Sequence, residues 1–103
     1  MPKFLVLARL GAVQPAPDEV PQATDAVRTW VREQQGSGRL DVAYTYPEGG
    51  GCAIFDTDSA EELQELLVAN PASAFLRYSV HPLIDLDIGL ARLLEIRGGG
   101  ETW

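Results

Sequence analysis

Two stretches in the second half of the chain leave little freedom of fold: CAIFDTDSAEELQELL (Cys52 to Leu67) runs almost directly into ASAFLRYSVHPL (Ala72 to Leu83). The first joins an apolar strand to a helix start. Ser59 stands three residues before Glu62 and just ahead of Leu63, Leu66 and Leu67, which predicts a capping box. Asn70-Pro71 stops that helix, because the ring of Pro71 disfavours helical backbone at the residue before it. FLRYSVHPL then returns as a strand in which Leu76, Tyr78 and Val80 alternate with Arg77, Ser79 and His81, the one histidine of the chain. One face of this strand is apolar. The other carries a cation, a hydroxyl and an imidazole in a row.

The first half repeats the strand-helix-strand order. KFLVLAR (Lys3 to Arg9) is a strand with Phe4, Val6 and Ala8 on one face and Leu5 and Leu7 on the other. The loop GAVQPAPDEVPQ leads to a helix starting near Asp18, with Asp18 and Glu19 at its positive end. Val20, Ala23, Val27, Trp30 and Val31 recur at spacings of three and four as its buried stripe, and Gly36 and Gly38 end it. RLDVAYTY (Arg39 to Tyr46) is the second strand, with Leu40, Val42, Tyr44 and Tyr46 expected on one face and Asp41, Ala43 and Thr45 on the other. PEGGG is a hairpin turn into GCAIFDT: a strand follows the glycines, not the helix N-terminus that phosphate-binding loops require. Two split βαβ units in succession predict an α+β fold of the ferredoxin-like kind, βαββαβ with an antiparallel sheet. Two helices cover only one face of such a sheet. Because the first strand is apolar on both faces, the second face calls for another cover, most simply a second copy.

At 103 residues the chain is one domain, taken here as residues 1–97. Within it LIDLDIGLARLLEIR alternates at first and then clusters leucines, so residues 84–97 are expected to dock, either as an extra strand and helix or as an arm on a neighbouring subunit. Residues 98–103 are expected to form a flexible tail, with the apolar Trp103 as its one candidate anchor. The excess of 15 acidic over 8 basic residues argues against a nucleic-acid partner, which needs clustered Lys and Arg. No segment approaches a membrane span, and MPKFLVLARL is too short an apolar run for a signal peptide, so the expected location is the cytoplasm. The single Cys52 excludes an internal disulfide and reads as an apolar filler. Asp56 and Asp58 read as a strand end and a favourable helix start, and no metal or cofactor is expected.

Phe55-Asp56, the Ser59 to Leu67 helix start and the Val80-His81-Pro82-Leu83 strand end together resemble the muconolactone isomerase family. That family lies within the dimeric α+β barrel group, which also holds small cofactor-free monooxygenases and YCII-type proteins. The resemblance runs from about Phe4 to Leu86 as a pattern of elements. It implies two ferredoxin-like sheets closing face to face into a barrel, a homodimer or a ring of dimers, and C-terminal contacts between subunits. Two departures stand out. The family's last strand carries mostly acidic residues where this chain has Arg77, Ser79 and His81, and its second strand is richer in tryptophan and basic residues than LDVAYTY.

The implied function is a cofactor-independent isomerase or cyclase acting on a small organic acid or lactone in a barrel cavity. Such a reaction moves a carbon-bound proton and steadies an enolate oxygen. His81 is the candidate base, since imidazole exchanges protons near neutral pH, and Tyr44 is the candidate donor to the enolate. Arg77, with Ser79, is the candidate grip on a substrate carboxylate, Tyr46 a stacking surface and Asp41 a group that might orient His81. Plainer accounts stand beside these: His81 as a polar strand-end residue, Arg77 paired with a surface carboxylate, and the tyrosines as interface aromatics. The alternative functions are a cofactor-free monooxygenase of the same group and a non-catalytic ligand-binding or assembly protein.

Overall fold

The computed structural model describes residues 2–96, so the expected tail 98–103, with Trp103, lies outside the described residues. In chain order the elements are β1 (Lys3–Leu10), α1 (Val20–Gly36), β2 (Leu40–Thr45), β3 (Gly51–Asp56), α2 (Ala60–Ala69), β4 (Leu76–Leu83) and α3 (Leu86–Ile96). The sheet runs β2-β3-β1-β4 and every neighbouring pair is antiparallel. This is the ferredoxin-like βαββαβ arrangement expected from the sequence, with β2 and β4 as its edges.

A 3-10 turn over Pro17–Glu19 precedes α1, where the sequence suggested that the helix itself would begin. Pro21 is tolerated because the first turn of a helix has no use for its missing N–H. At α2 the cap is half of the expected box. The Ser59 hydroxyl accepts from the Glu62 N–H at 3.1 Å, but the Glu62 carboxylate turns instead to Arg39, 3.5 Å away.

The core is one cluster between the sheet and the two helices. Phe4 and Val6 of β1, Leu40 of β2, Phe55 of β3, Trp30 of α1, and Leu63 and Leu67 of α2 are all buried. The Trp30 and Phe55 rings meet at 6.2 Å, tilted by 48°. Cross-strand partners share a face, so the register also assigns the side away from the helices. Lys3, Leu5, Leu7 and Arg9 of β1 lie there with Cys52, Ile54 and Asp56 of β3 and Arg77, Ser79, His81 and Leu83 of β4.

In β2 the expected face of Leu40, Val42, Tyr44 and Tyr46 does not hold. Leu40 pairs with Phe55 while Val42 pairs with Ile54, so Asp41 is the extra residue of a bulge and the alternation reverses there. Leu40, Ala43 and Thr45 face the helices, while Val42 and Tyr44 face the open side. Tyr46 falls beyond the strand, in the hairpin, where its N–H donates to the Gly50 carbonyl at 3.1 Å.

The glycines of PEGGG serve as that turn. Gly50 has φ +79°, and a Cβ there would run into the Ala8 carbonyl oxygen on β1. Gly50→Ala is expected to destabilise the fold by about 2 kcal/mol or more, since left-handed backbone alone costs an L-residue ~1–2 kcal/mol. A urea midpoint unchanged by the substitution would show that the hairpin relaxes without cost.

Residues 84–96 form no strand. Asp85 caps α3, its Oδ2 accepting from the N–H groups of Asp87 at 3.1 Å and Ile88 at 3.4 Å. That cap converts the alternating Ile84, Leu86 and Ile88 into the first turn of a helix and its approach. α3 buries none of its residues, and Ile84, Leu86, Ile88 and Ile96 are among the most exposed large apolar side chains. Among the described residues no helix is long and apolar enough to cross a membrane.

Candidate functional site

The helix side of the sheet tapers from large to small residues. The row through Pro82, Phe4, Phe55 and Leu40 is bulky, the next holds Val80, Val6, Ala53 and Ala43, and the next Tyr78, Ala8, Gly51 and Thr45. Toward the small end no side chain of the described residues fills the space beneath α1. A cavity of about 730 Å³ opens there, walled by Val20, Ala23, Val27, Trp30 and Val31, the full apolar stripe of the helix. The sequence suggested that this stripe would be buried along its length. Instead Trp30 alone is fully buried, Val20 is 44 % exposed, and the amino-terminal half of α1 stands away from the sheet. Such a volume suits a small ring compound.

Among the polar side chains of this largely apolar wall, Asn70 and Tyr78 are joined to each other by a hydrogen bond. Asn70, at the end of α2 and 8 % exposed, donates from Nδ2 to the Tyr78 hydroxyl at 3.0 Å and accepts the Ala72 N–H on Oδ1 at 3.0 Å. Asn70 is thereby locked in orientation. The Tyr78 proton has only a long contact, 3.4 Å, to the Leu67 carbonyl. Burial pushes the Tyr78 pKa above the ordinary phenol value, against a smaller opposing effect of the Asn70 hydrogen bond. Tyr78 is therefore a protonated donor at neutral pH, with a proton available to a better acceptor than Leu67. The sequence reading passed over both residues. Asn70 registered only as a helix stop, and Tyr78 as one of three apolar residues, although a buried phenol always needs a partner for its hydroxyl.

Of the residues singled out from the sequence, Tyr44 is among those that line the cavity, and the others lie elsewhere. His81, Ser79 and Arg77 are exposed on the open side of the sheet, and none of them lines the cavity. The register sets out two rows on this side, His81–Leu5–Ile54–Val42 and Ser79–Leu7–Cys52–Tyr44. Tyr44 and the β4 residues share a face but sit on opposite edge strands, three strand spacings or about 14 Å apart at the backbone. Within one chain they do not meet around one small molecule. Asp41 does not orient His81: it lies in β2, at the far edge from β4, and its Oδ2 is 3.5 Å from Lys3 Nζ. Asp56 and then Asp41 hold the Lys3 ammonium above its usual range. Cys52 is a free thiol, half-buried between Leu7 and Tyr44.

No protein-family model and no curated protein sequence matches this chain. Solved structures do match it. Muconolactone isomerase superposes with a TM-score of 0.71 at 19 % identity, over 81 % of this chain and 88 % of that one. The 5-chloro-2-hydroxyhydroquinone dehydrochlorinase TftG of Burkholderia phenoliruptrix AC1100, solved with 2,5-dihydroxybenzoquinone, superposes with a TM-score of 0.59 at 13 % identity, over 84 % of this chain and 97 % of that one. The chain thus has the α+β fold of muconolactone isomerase, the fold its sequence pattern resembles.

Proposed function

We propose that the chain is a small-molecule-converting enzyme of isomerase or cyclase type. It holds a lactone, or the ring of a small organic acid, in the cavity beneath α1. The observation that carries this reading is the Tyr78 phenol, protonated and tethered by Asn70, in the wall of a largely apolar cavity. A ring carbonyl lying against Tyr78 accepts its proton in a hydrogen bond. Water entering from the open mouth of the cavity takes the neighbouring C–H proton and returns one at another carbon; while the proton is off, negative charge grows on that oxygen, and a donor in apolar surroundings stabilises it more than bulk water does. Two proteins of this fold are compatible with the substrate class, one named for a lactone and the other solved with a benzoquinone. The reading requires no resident cofactor.

Two substitutions test it with a panel of small lactones and hydroxyquinones. Tyr78→Phe is expected to lower turnover about 10²–10³-fold, the usual cost of one oxyanion donor, while leaving binding nearly intact. Ala8→Leu, which adds bulk opposite Tyr78 and Gly51, is expected to abolish binding with the fold retained. Turnover unchanged by Tyr78→Phe would sink the isomerase reading. Binding lost with Ala8→Leu, in a protein that converts none of the panel, would leave a ligand-binding protein.

The open face supports a second reading, because Tyr44, Ser79 and His81 share it with Leu5 and Leu7. Two copies packed through this face about an axis along the strands would lay β2 of one over β4 of the other. That arrangement sets Tyr44 opposite Ser79 and beside His81, where His81 serves as base, Tyr44 as donor, and Arg77 with Ser79 and Tyr46 as the substrate grip. On this reading α3 reaches across to the neighbouring copy as an arm. Loss of turnover in His81→Ala but not in Tyr78→Phe would select it over the cavity.

A further inference from the structure

The two ends of the open face treat their cations differently. At one end Lys3 stands between two carboxylates, Asp41 and Asp56, each 3.5 Å from its ammonium. At the other end Arg9 and Arg77 are direct cross-strand partners, side by side on the same face. Arg28 and Arg39 each find a carboxylate, whereas Arg9 and Arg77, like Arg32 and Arg92, have none within ion-pair distance among the described residues. This holds in a chain whose acidic residues outnumber its basic ones by 15 to 8. Like charges directly opposite on neighbouring strands repel, so the pairing is a local cost that an anion between the guanidiniums would reverse. Two further features suit one. Ser79 adds a hydroxyl two residues along the same face of β4, and Leu7 beside it supplies an apolar floor.

We propose that Arg9 and Arg77 form a clamp for a small organic carboxylate, with each planar guanidinium donating toward one carboxylate group and Ser79 donating alongside. The planar fork of arginine matches a carboxylate, which a point charge does not. The clamp lies on the opposite side of the sheet from the Tyr78 cavity and does not depend on what that cavity binds; it deepens the two-copy reading of the open face, adding Arg9 to the Arg77 and Ser79 grip named there.

The experiment is an NMR titration of the full chain with succinate, following the arginine Nε–H signals, the Leu7 and Ser79 amides and the Trp30 indole. Dimethyl succinate and sulfate serve as the neutral and inorganic comparisons, and light scattering of each sample reports assembly. Saturable shifts are expected at Arg9, Arg77, Leu7 and Ser79 and not at Trp30, with succinate preferred over both comparisons. Arg9→Gln and Arg77→Gln are each expected to weaken succinate about tenfold or more, the effect of losing one charge-assisted pair. Arg92→Gln, on α3, should leave binding unchanged. Equal shifts at every arginine, or equal binding of sulfate, would overturn the proposal as non-specific anion attraction. So would arginine substitutions that change the assembled mass without changing succinate affinity, for then the guanidiniums serve a carboxylate of a second copy. Failure of the cavity reading is separate, being read from lactone binding and the Trp30 signal.

Discussion

Replacing Phe55 with alanine is expected to cost about 3–5 kcal/mol, the range for removing a buried aromatic ring, and so to remove a large share of the domain's stability. Phe55 is 2 % exposed, packs on Trp30 and is the cross-strand partner of both Phe4 and Leu40. It belongs to the bulky end of the sheet, where the helices are held close. The effect matters because a domain of this size has only about 5–15 kcal/mol of stability in total. Phe55→Leu fills much of the same space and should recover most of the loss. A shift in the denaturation midpoint equivalent to less than about 1 kcal/mol for Phe55→Ala would mean that the cavity beneath α1 lets the helix collapse onto the sheet.

The second large effect is expected on assembly. Leu5 and Leu7 are half-buried on the open face, flanked by Ile54, Cys52 and, on β2, Val42, and no helix among the described residues covers them. If that face meets a second copy, Leu5→Glu with Leu7→Glu sets up to four carboxylates against each other across an apolar interface. A charge buried without a partner costs several kcal/mol, enough to convert a micromolar dimer to monomer. Light scattering should then report one chain where the unsubstituted protein reports two or more. A shorter chain ending at Leu83 separates the contribution of α3, since assembly that survives the truncation rests on the sheet alone. Equal mass for the unsubstituted and the doubly substituted protein would remove the two-copy reading, and with it the meeting of Tyr44 and His81.

How much of this was legible follows from where the information sits. The element order was readable because each element carries its own local signal: the Ser59 cap, the Asn70-Pro71 stop, the glycines after Tyr46, and the alternation in β1 and β4. The face assignment of β4 followed from the period of two, and Arg77, Ser79 and His81 do share a face. Alternation cannot reveal an extra residue. The bulge at Asp41 depends on pairing with β3, a partner that the β2 sequence does not contain. The cavity was hidden for a similar reason. Its cause is the absence of bulk at Ala8, Gly51 and Ala53, three residues from two strands whose adjacency only the fold creates. Arg9 went unremarked as well, because an arginine at the end of β1 becomes unusual only when the register sets it against Arg77.

The bulge at Asp41 acts as a parity switch on the protein's chemistry. Paired without it, β2 would send Val42 and Tyr44 in beneath α1, and a phenol ring together with an isopropyl group would occupy the volume that Ala43 and Thr45 leave empty. One unpaired residue therefore keeps the chamber hollow and at the same time moves an aromatic hydroxyl to the outer surface. A variant lacking that residue would keep the same strands and helices around a smaller chamber.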